Sequence, residues 1–128
     1  MPKINRYVDI STVDKEAKKD YIDRHSPFIH CKNQGKKGEK LSVKVRVGNE
    51  YKHPDDNDHY ISYVQLWDGE TFLGQTNFPP GVLGGLPGQV EVDFNIVPIK
   101  NKLNLVAISY CTKHGIWEGN SFEVNVVE

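Results

Sequence analysis

Cys111 and His114 stand three residues apart at the end of an apolar run, with Gly115 closing the turn behind them. That spacing brings a thiolate and an imidazole into one small volume, which makes half of a metal site. The pair alone is a weak signal, because a cysteine that ends a hydrophobic stretch is usually a small core residue. Further histidines strengthen it. Upstream lie Asp23-Arg24-His25-Ser26-Pro27 and the tight group His53-Pro54-Asp55-Asp56-Asn57-Asp58-His59, so four of the five histidines sit in turn-flanked motifs. If His25, His53, His59 and His114 all meet Cys111, the site offers four nitrogens and one sulfur. Structural zinc is almost always held by four ligands in a tetrahedron, so five exceed what it uses. Five protein ligands also leave a sixth octahedral position open, which suits a redox metal that binds a small oxidant directly. Iron accepts both imidazole and thiolate and fits best.

The elements that would position these groups are strands. Leu41 to Val47 alternates strictly between apolar and polar residues, the mark of a strand with one buried face. Tyr60 to Trp67 is rich in aromatic and β-branched residues, and Asp68-Gly69 marks a hairpin turn into Phe72-Leu73. Val90 to Ile96 alternates again, Leu103 to Cys111 is nearly continuously apolar, and Phe122 to Val126 closes the chain. With a short strand at Phe28-Ile29, the count reaches about seven strands joined by short turns. An all-β fold follows, an antiparallel sandwich of immunoglobulin-like class, in which loops at one end converge on a shared site. Lys32 to Lys40 reads as a turn, and the glycine-rich stretch from Phe78 to Gly88 as a long exposed loop. Residues 1–24 read as an N-terminal arm, with Ser11 or Thr12 capping a short helix through about Tyr21. Pro54 biases His53 toward an extended backbone, which aims its imidazole. His30 and Cys31 lie outside the metal motifs; His30 is expected at the surface without a functional role, and Cys31 likewise.

The 128 residues make one domain by size, 1–128. Sixteen basic residues nearly balance seventeen acidic ones, so nucleic acid is not an expected partner. No apolar run is long enough to span a bilayer, and no secretory leader opens the chain, so a soluble cytoplasmic protein is expected. In that compartment Cys31 and Cys111 are expected as thiols or thiolates.

The motifs resemble those of a known family. Cys111-Thr112-Lys113-His114-Gly115-Ile116-Trp117 closely resembles the Cys-Asn-x-His-Gly-Leu-Trp signature of superoxide reductases, the family of neelaredoxin and of the iron-site domain of desulfoferrodoxin. Val45-Arg46-Val47-Gly48, His53-Pro54 and His59-Tyr60-Ile61 follow that family's second block in order, and Asp23-Arg24-His25-Ser26-Pro27 is similar to its Glu-Lys-His-x-Pro motif. The resemblance implies one iron per chain, ferrous or ferric, bound in a plane by His25, His53, His59 and His114 with Cys111 axial. Superoxide would take one electron there and leave as hydrogen peroxide, with no dioxygen made. It also implies a rubredoxin-like or other small electron donor. With no cysteine-rich module in front, the chain resembles the one-iron class, whose members assemble as tetramers. Two positions depart from the pattern. Arg24 replaces lysine, keeping the charge but not a releasable proton. Asp23, one methylene shorter, replaces the glutamate that can close the sixth position of oxidised iron.

Two other readings compete. In a structural zinc module, Cys111, His114, His53 and His59 would form a closed tetrahedron, leaving His25 idle and the protein without turnover. A copper electron carrier normally has a weak axial methionine, and the only methionine is Met1.

Overall fold

A computed structural model describes residues 3–13 and 16–128. The strands are β1 (Ile4–Arg6), β2 (Pro27–His30), β3 (Gln34–Lys36), β4 (Leu41–Val47), β5 (Ile61–Asp68), β6 (Thr71–Asn77), β7 (Glu91–Ile96), β8 (Lys102–Cys111), β9 (Gly115–Glu118) and β10 (Phe122–Val127). A 3₁₀ turn at Ile10–Thr12 and one helix, α1 (Glu16–His25), precede β2. The strands form a seven-stranded and a three-stranded sheet, and the larger one is built around β8. β8 pairs antiparallel with β5 on one edge and with β9 and β10 on the other. β1 and β3 add parallel strands at the margins, and β2, β4 and β7 make the smaller sheet.

The two-residue alternation read in the sequence is the alternation that buries. Val43, Val45 and Val47 of β4 are fully buried, as are Val64 and Leu66 of β5, Leu105 and Ala107 of β8, and Val124 of β10. They join one hydrophobic cluster between the sheets. Each such side chain contributes roughly 1.5–3 kcal/mol relative to exposure, so the sandwich can carry polar groups at its end without losing its centre. Cys111, the last residue of β8, is fully buried at the edge of that cluster.

Three local expectations are corrected. The helix runs over Glu16–His25 and carries His25 in its last turn, whereas Ser11 and Thr12 belong to the separate 3₁₀ turn capped by Asp9, whose carboxylate accepts from the Ser11 N–H. The expected helix thus lies later, and Asp14 lies outside the described residues. The stretch read as a turn at 32–40 contains β3, which pairs parallel with β10. Among the described residues the sandwich has ten strands rather than about seven, because β1, β3 and β9 are short pieces recruited by pairing rather than by their own pattern. The loop at 78–88 is largely exposed, as read.

Candidate metal centre

Four routes of chain bring donors to one end of the sandwich. β8 ends at Cys111, and Gly115, at φ +85°, turns the chain back into β9 so that Cys111 pairs with Gly115 across His114. A side chain there would be strained, which explains the glycine. β5 starts opposite the same point, with Ile61 paired to Cys111, and the Thr112 N–H donates to the Tyr60 carbonyl at 3.0 Å. That pairing delivers His59, two residues before Ile61. Helix α1 ends at His25, whose carbonyl accepts from the buried Ser109 hydroxyl at 2.7 Å. His53 comes from the loop between β4 and β5, held by reciprocal backbone bonds with Gly88 at 2.8 and 3.0 Å.

The four imidazoles stand as the sides of a square. Ring centroids are 4.9 Å apart for His25 and His53, 4.8 Å for His53 and His59, 5.0 Å for His59 and His114, and 4.8 Å for His114 and His25. Neighbouring rings are steeply inclined, by 73° to 80°. Across the diagonal, His25 and His59 are 6.4 Å apart and nearly parallel at 22°. A longer diagonal with four equal sides is close to the proportion of a square and unlike the equal separations of a tetrahedron. The donor atoms of His25, His59, Cys111 and His114 all lie within 4.8 Å of one another, and His53 joins through Nε2 at 3.2 Å from the Cys111 sulfur.

The rings are oriented by their far nitrogens. His25 Nδ1 meets the Tyr21 carbonyl at 2.7 Å, and His53 Nδ1 meets the Pro54 carbonyl at 2.6 Å. A carbonyl accepts only, so each Nδ1 carries the proton and each Nε2 turns a lone pair inward. Tyr21 and Trp117 brace His25, with Trp117 stacked on it at 5.1 Å and 17° and its Nε1–H donating to the His114 carbonyl at 3.2 Å. Burial pushes His25 down to about 3 and His53 to about 4, and also lowers His59 and His114, so the rings stay neutral. Burial raises the Cys111 thiol, against which the backbone N–H groups of Lys113 and His114 favour the thiolate.

These donors fit a cation. His25 Nε2 faces His114 Nδ1 at 3.1 Å, and two donor atoms at right angles on bonds of roughly 2.1 Å stand about 3.0 Å apart. His59 Nε2 is buried with no hydrogen-bond partner, a cost that a metal bond removes. A thiolate with four neutral imidazoles is a ligand set for a late first-row metal, iron included.

All five metal ligands expected from the sequence thus converge, whereas the two neighbouring expectations separate. Asp23 is fully buried, and its Oδ2 accepts from the backbone N–H groups of Asn49, Glu50 and Tyr51 at 3.0, 2.9 and 2.8 Å. Two residues along a helix are some 200° apart in direction, so with His25 turned inward Asp23 points to the other side. Oδ2 of Asp23 thus holds the loop ahead of His53, while its Oδ1 is buried without a hydrogen-bond partner. Arg24 is half-buried and pairs with Asp20 at 2.8 Å, and its charge bears on His53 and His114. His30 is exposed on β2 and Cys31 is a free, half-buried thiol.

Sequence reasoning missed Tyr21, Ser109 and Asp55. The first had a usable signal, since a residue four before a helical histidine presents its carbonyl to that ring. Asp55 is buried, and its carboxylate accepts from the N–H groups of Gly81, Leu83 and Gly85 at 3.0, 2.8 and 2.9 Å. Burial would raise its carboxyl, but these three donors hold it below the usual carboxylate range.

Residues 12–120 match the family model described as Desulfoferrodoxin. The superoxide reductase of Pyrococcus furiosus is 33% identical over 108 residues, covering 75% of this chain and 85% of that protein. Neelaredoxin of Megalodesulfovibrio gigas is 27% identical over 110 residues, covering 77% and 85%. Among solved structures, the superoxide reductase (neelaredoxin) from Ignicoccus hospitalis superposes with a TM-score of 0.65 at 30% identity, covering 80% of each chain.

Proposed function

The chain belongs to the desulfoferrodoxin family, and on that premise we propose that it is a superoxide reductase working at one iron held by His25, His53, His59, His114 and Cys111. The observation that carries this reading is the square of imidazoles with a thiolate beside it. Iron bound there supplies the single electron, which with two protons converts one superoxide to one hydrogen peroxide.

The chain's own groups set the conditions for that step. Neutral imidazoles need lose no proton to bind the metal, whereas the Cys111 thiol must give one up, so assembly releases a proton and is favoured as pH rises. The Cys111 thiolate donates electron density from one side, and the Lys113 and His114 N–H groups temper it. Arg24 keeps its proton throughout the physiological range, so its contribution is charge that draws the superoxide anion inward. Lys113, exposed beside His114, adds to the same field. The Arg24–Asp20 pair fixes where that charge sits.

The reading extends to the protein's surroundings. An open depression lined by Lys3, Tyr21, Tyr110, Lys113 and His114 gives a small one-electron carrier, rubredoxin-like in kind, an approach to the ring of His114. Among the described residues no helix is long and apolar enough to cross a membrane, and the proposed setting is the cytoplasm, as a homo-oligomer of one-iron, single-domain chains (residues 1–128).

The test is product stoichiometry. Reduced, iron-loaded protein given a pulse of superoxide should yield one peroxide per superoxide with little dioxygen. One peroxide and one dioxygen from every two superoxides means dismutation and removes the assignment.

A further inference from the structure

Three of the four imidazoles are on or directly beside regular structure: His25 ends α1, His114 sits in the short turn between β8 and β9, and His59 stands two residues before β5. His53 is not. It sits in the loop between β4 and β5, and its backbone tie is to Gly88, in the other long loop of the molecule. That second loop has no strand or helix, and Leu86 within it is 69% exposed. The backbone tie of His53 is therefore as firm as the 78–89 loop that carries Gly88.

What fixes that loop is Asp55, two residues beyond His53. Its buried carboxylate receives three N–H groups from alternate loop residues, 81, 83 and 85. These charge-assisted bonds hold the turn closed and seat Leu83 over Gly88, where even one added methyl group on Gly88 would press on the leucine at 3.2 Å. Gly88 then meets His53. We propose that Asp55 is a positioning residue for the metal centre, clamping the glycine-rich loop onto the 53–56 segment so that His53 Nε2 is held against the Cys111 sulfur. The side chain touches no donor atom and acts through the loop. The inference rests on the metal-centre reading above and gives one of its imidazoles a dedicated support.

Asp55→Asn keeps the shape but turns an amide NH2 toward backbone N–H groups that need an acceptor. The probe is cobalt(II), whose thiolate charge-transfer band reports the donor set without superoxide. In the cobalt-loaded variant, the amides of 81–85 should lose hydrogen-exchange protection. The band should shift, and cobalt affinity should fall about tenfold, the scale on which supports of metal ligands act. Val124→Ala, a core truncation elsewhere, should lower stability and leave the band in place. If Asp55→Asn fails to fold, Gly85→Ala strains the same turn at φ +75° and should move band and affinity in the same direction by less. The proposal is overturned if the 81–85 amides stay protected, or if they open while band and affinity keep their wild-type values. A wild-type protein that develops no cobalt–thiolate band contradicts the metal-centre reading itself and takes this assignment with it. Because turnover is measured separately, an altered peroxide stoichiometry would sink the enzymatic reading and leave this result standing.

Discussion

Arg24 and the histidines make opposite demands on charge. Burial lowers His53 and His114, and the guanidinium adds to it, which helps keep lone pairs available to a metal while leaving a positive region for an anion. Arg24→Ala should slow the bimolecular reaction with superoxide by about tenfold at low salt and flatten its salt dependence, read by pulse radiolysis at several ionic strengths. An unchanged rate and slope would remove the steering role. The buried rings also set a pH response. His25 and His53 titrate at about 3 and about 4 when folded, below the ordinary 6.5. Between those values the unfolded chain binds protons that the folded chain refuses, so unfolding is favoured as pH falls. Metal-free protein should therefore keep its full stability above about pH 6.5 and lose it steadily toward pH 4. Urea midpoints measured across that range check this, and a flat profile would mean that the rings protonate in place.

At the scale of elements, the loop that carries His53 is pinned at both ends by carboxylates. Asp23 on α1 takes three N–H groups at 49–51, and Asp55 takes three from the neighbouring loop. Asp23→Ala removes the acceptor from three part-buried backbone donors, so a stability loss of roughly 1–3 kcal/mol is expected, seen in chemical denaturation together with faster exchange at 49–51. An effect under a few tenths of a kcal/mol would mean that the loop holds itself. These carboxylates mark the limit of what the chain discloses in one dimension. β4, β5, β8 and β10 were legible because one face of each is buried, which forces apolar residues to alternate or accumulate. β9 and β3 were not, since Ile116 and Trp117 or Gln34 to Lys36 become strand only when β8 or β10 offers an edge. Asp23 and Asp55 were illegible as clamps because their partners are backbone N–H groups, which no residue type announces. The ligands were legible because imidazole and thiolate are scarce, and scarce groups at turn boundaries stand out. The start of α1 was misread because Asp9 caps the preceding 3₁₀ turn that Ser11 and Thr12 occupy.

For the whole molecule, the sandwich supplies rigidity at a distance from the chemistry. One cluster of buried side chains spans both sheets, and Cys111 sits where that cluster ends, so the sulfur is anchored in the core while His59 and His114 remain half-exposed around it. Loops and a helix end bring the other donors to that fixed point. The arrangement accounts for a family that keeps its fold at identities near 30%: the positions that matter are a strand end, a helix end and two loops, and most of the surface is unconstrained by them. X-ray absorption at the iron edge of the loaded, reduced protein tests the square most directly. Four nitrogen scatterers and one sulfur, with the outer-shell multiple-scattering features of four imidazoles, are the expected result. A four-coordinate shell with one imidazole missing would contradict it.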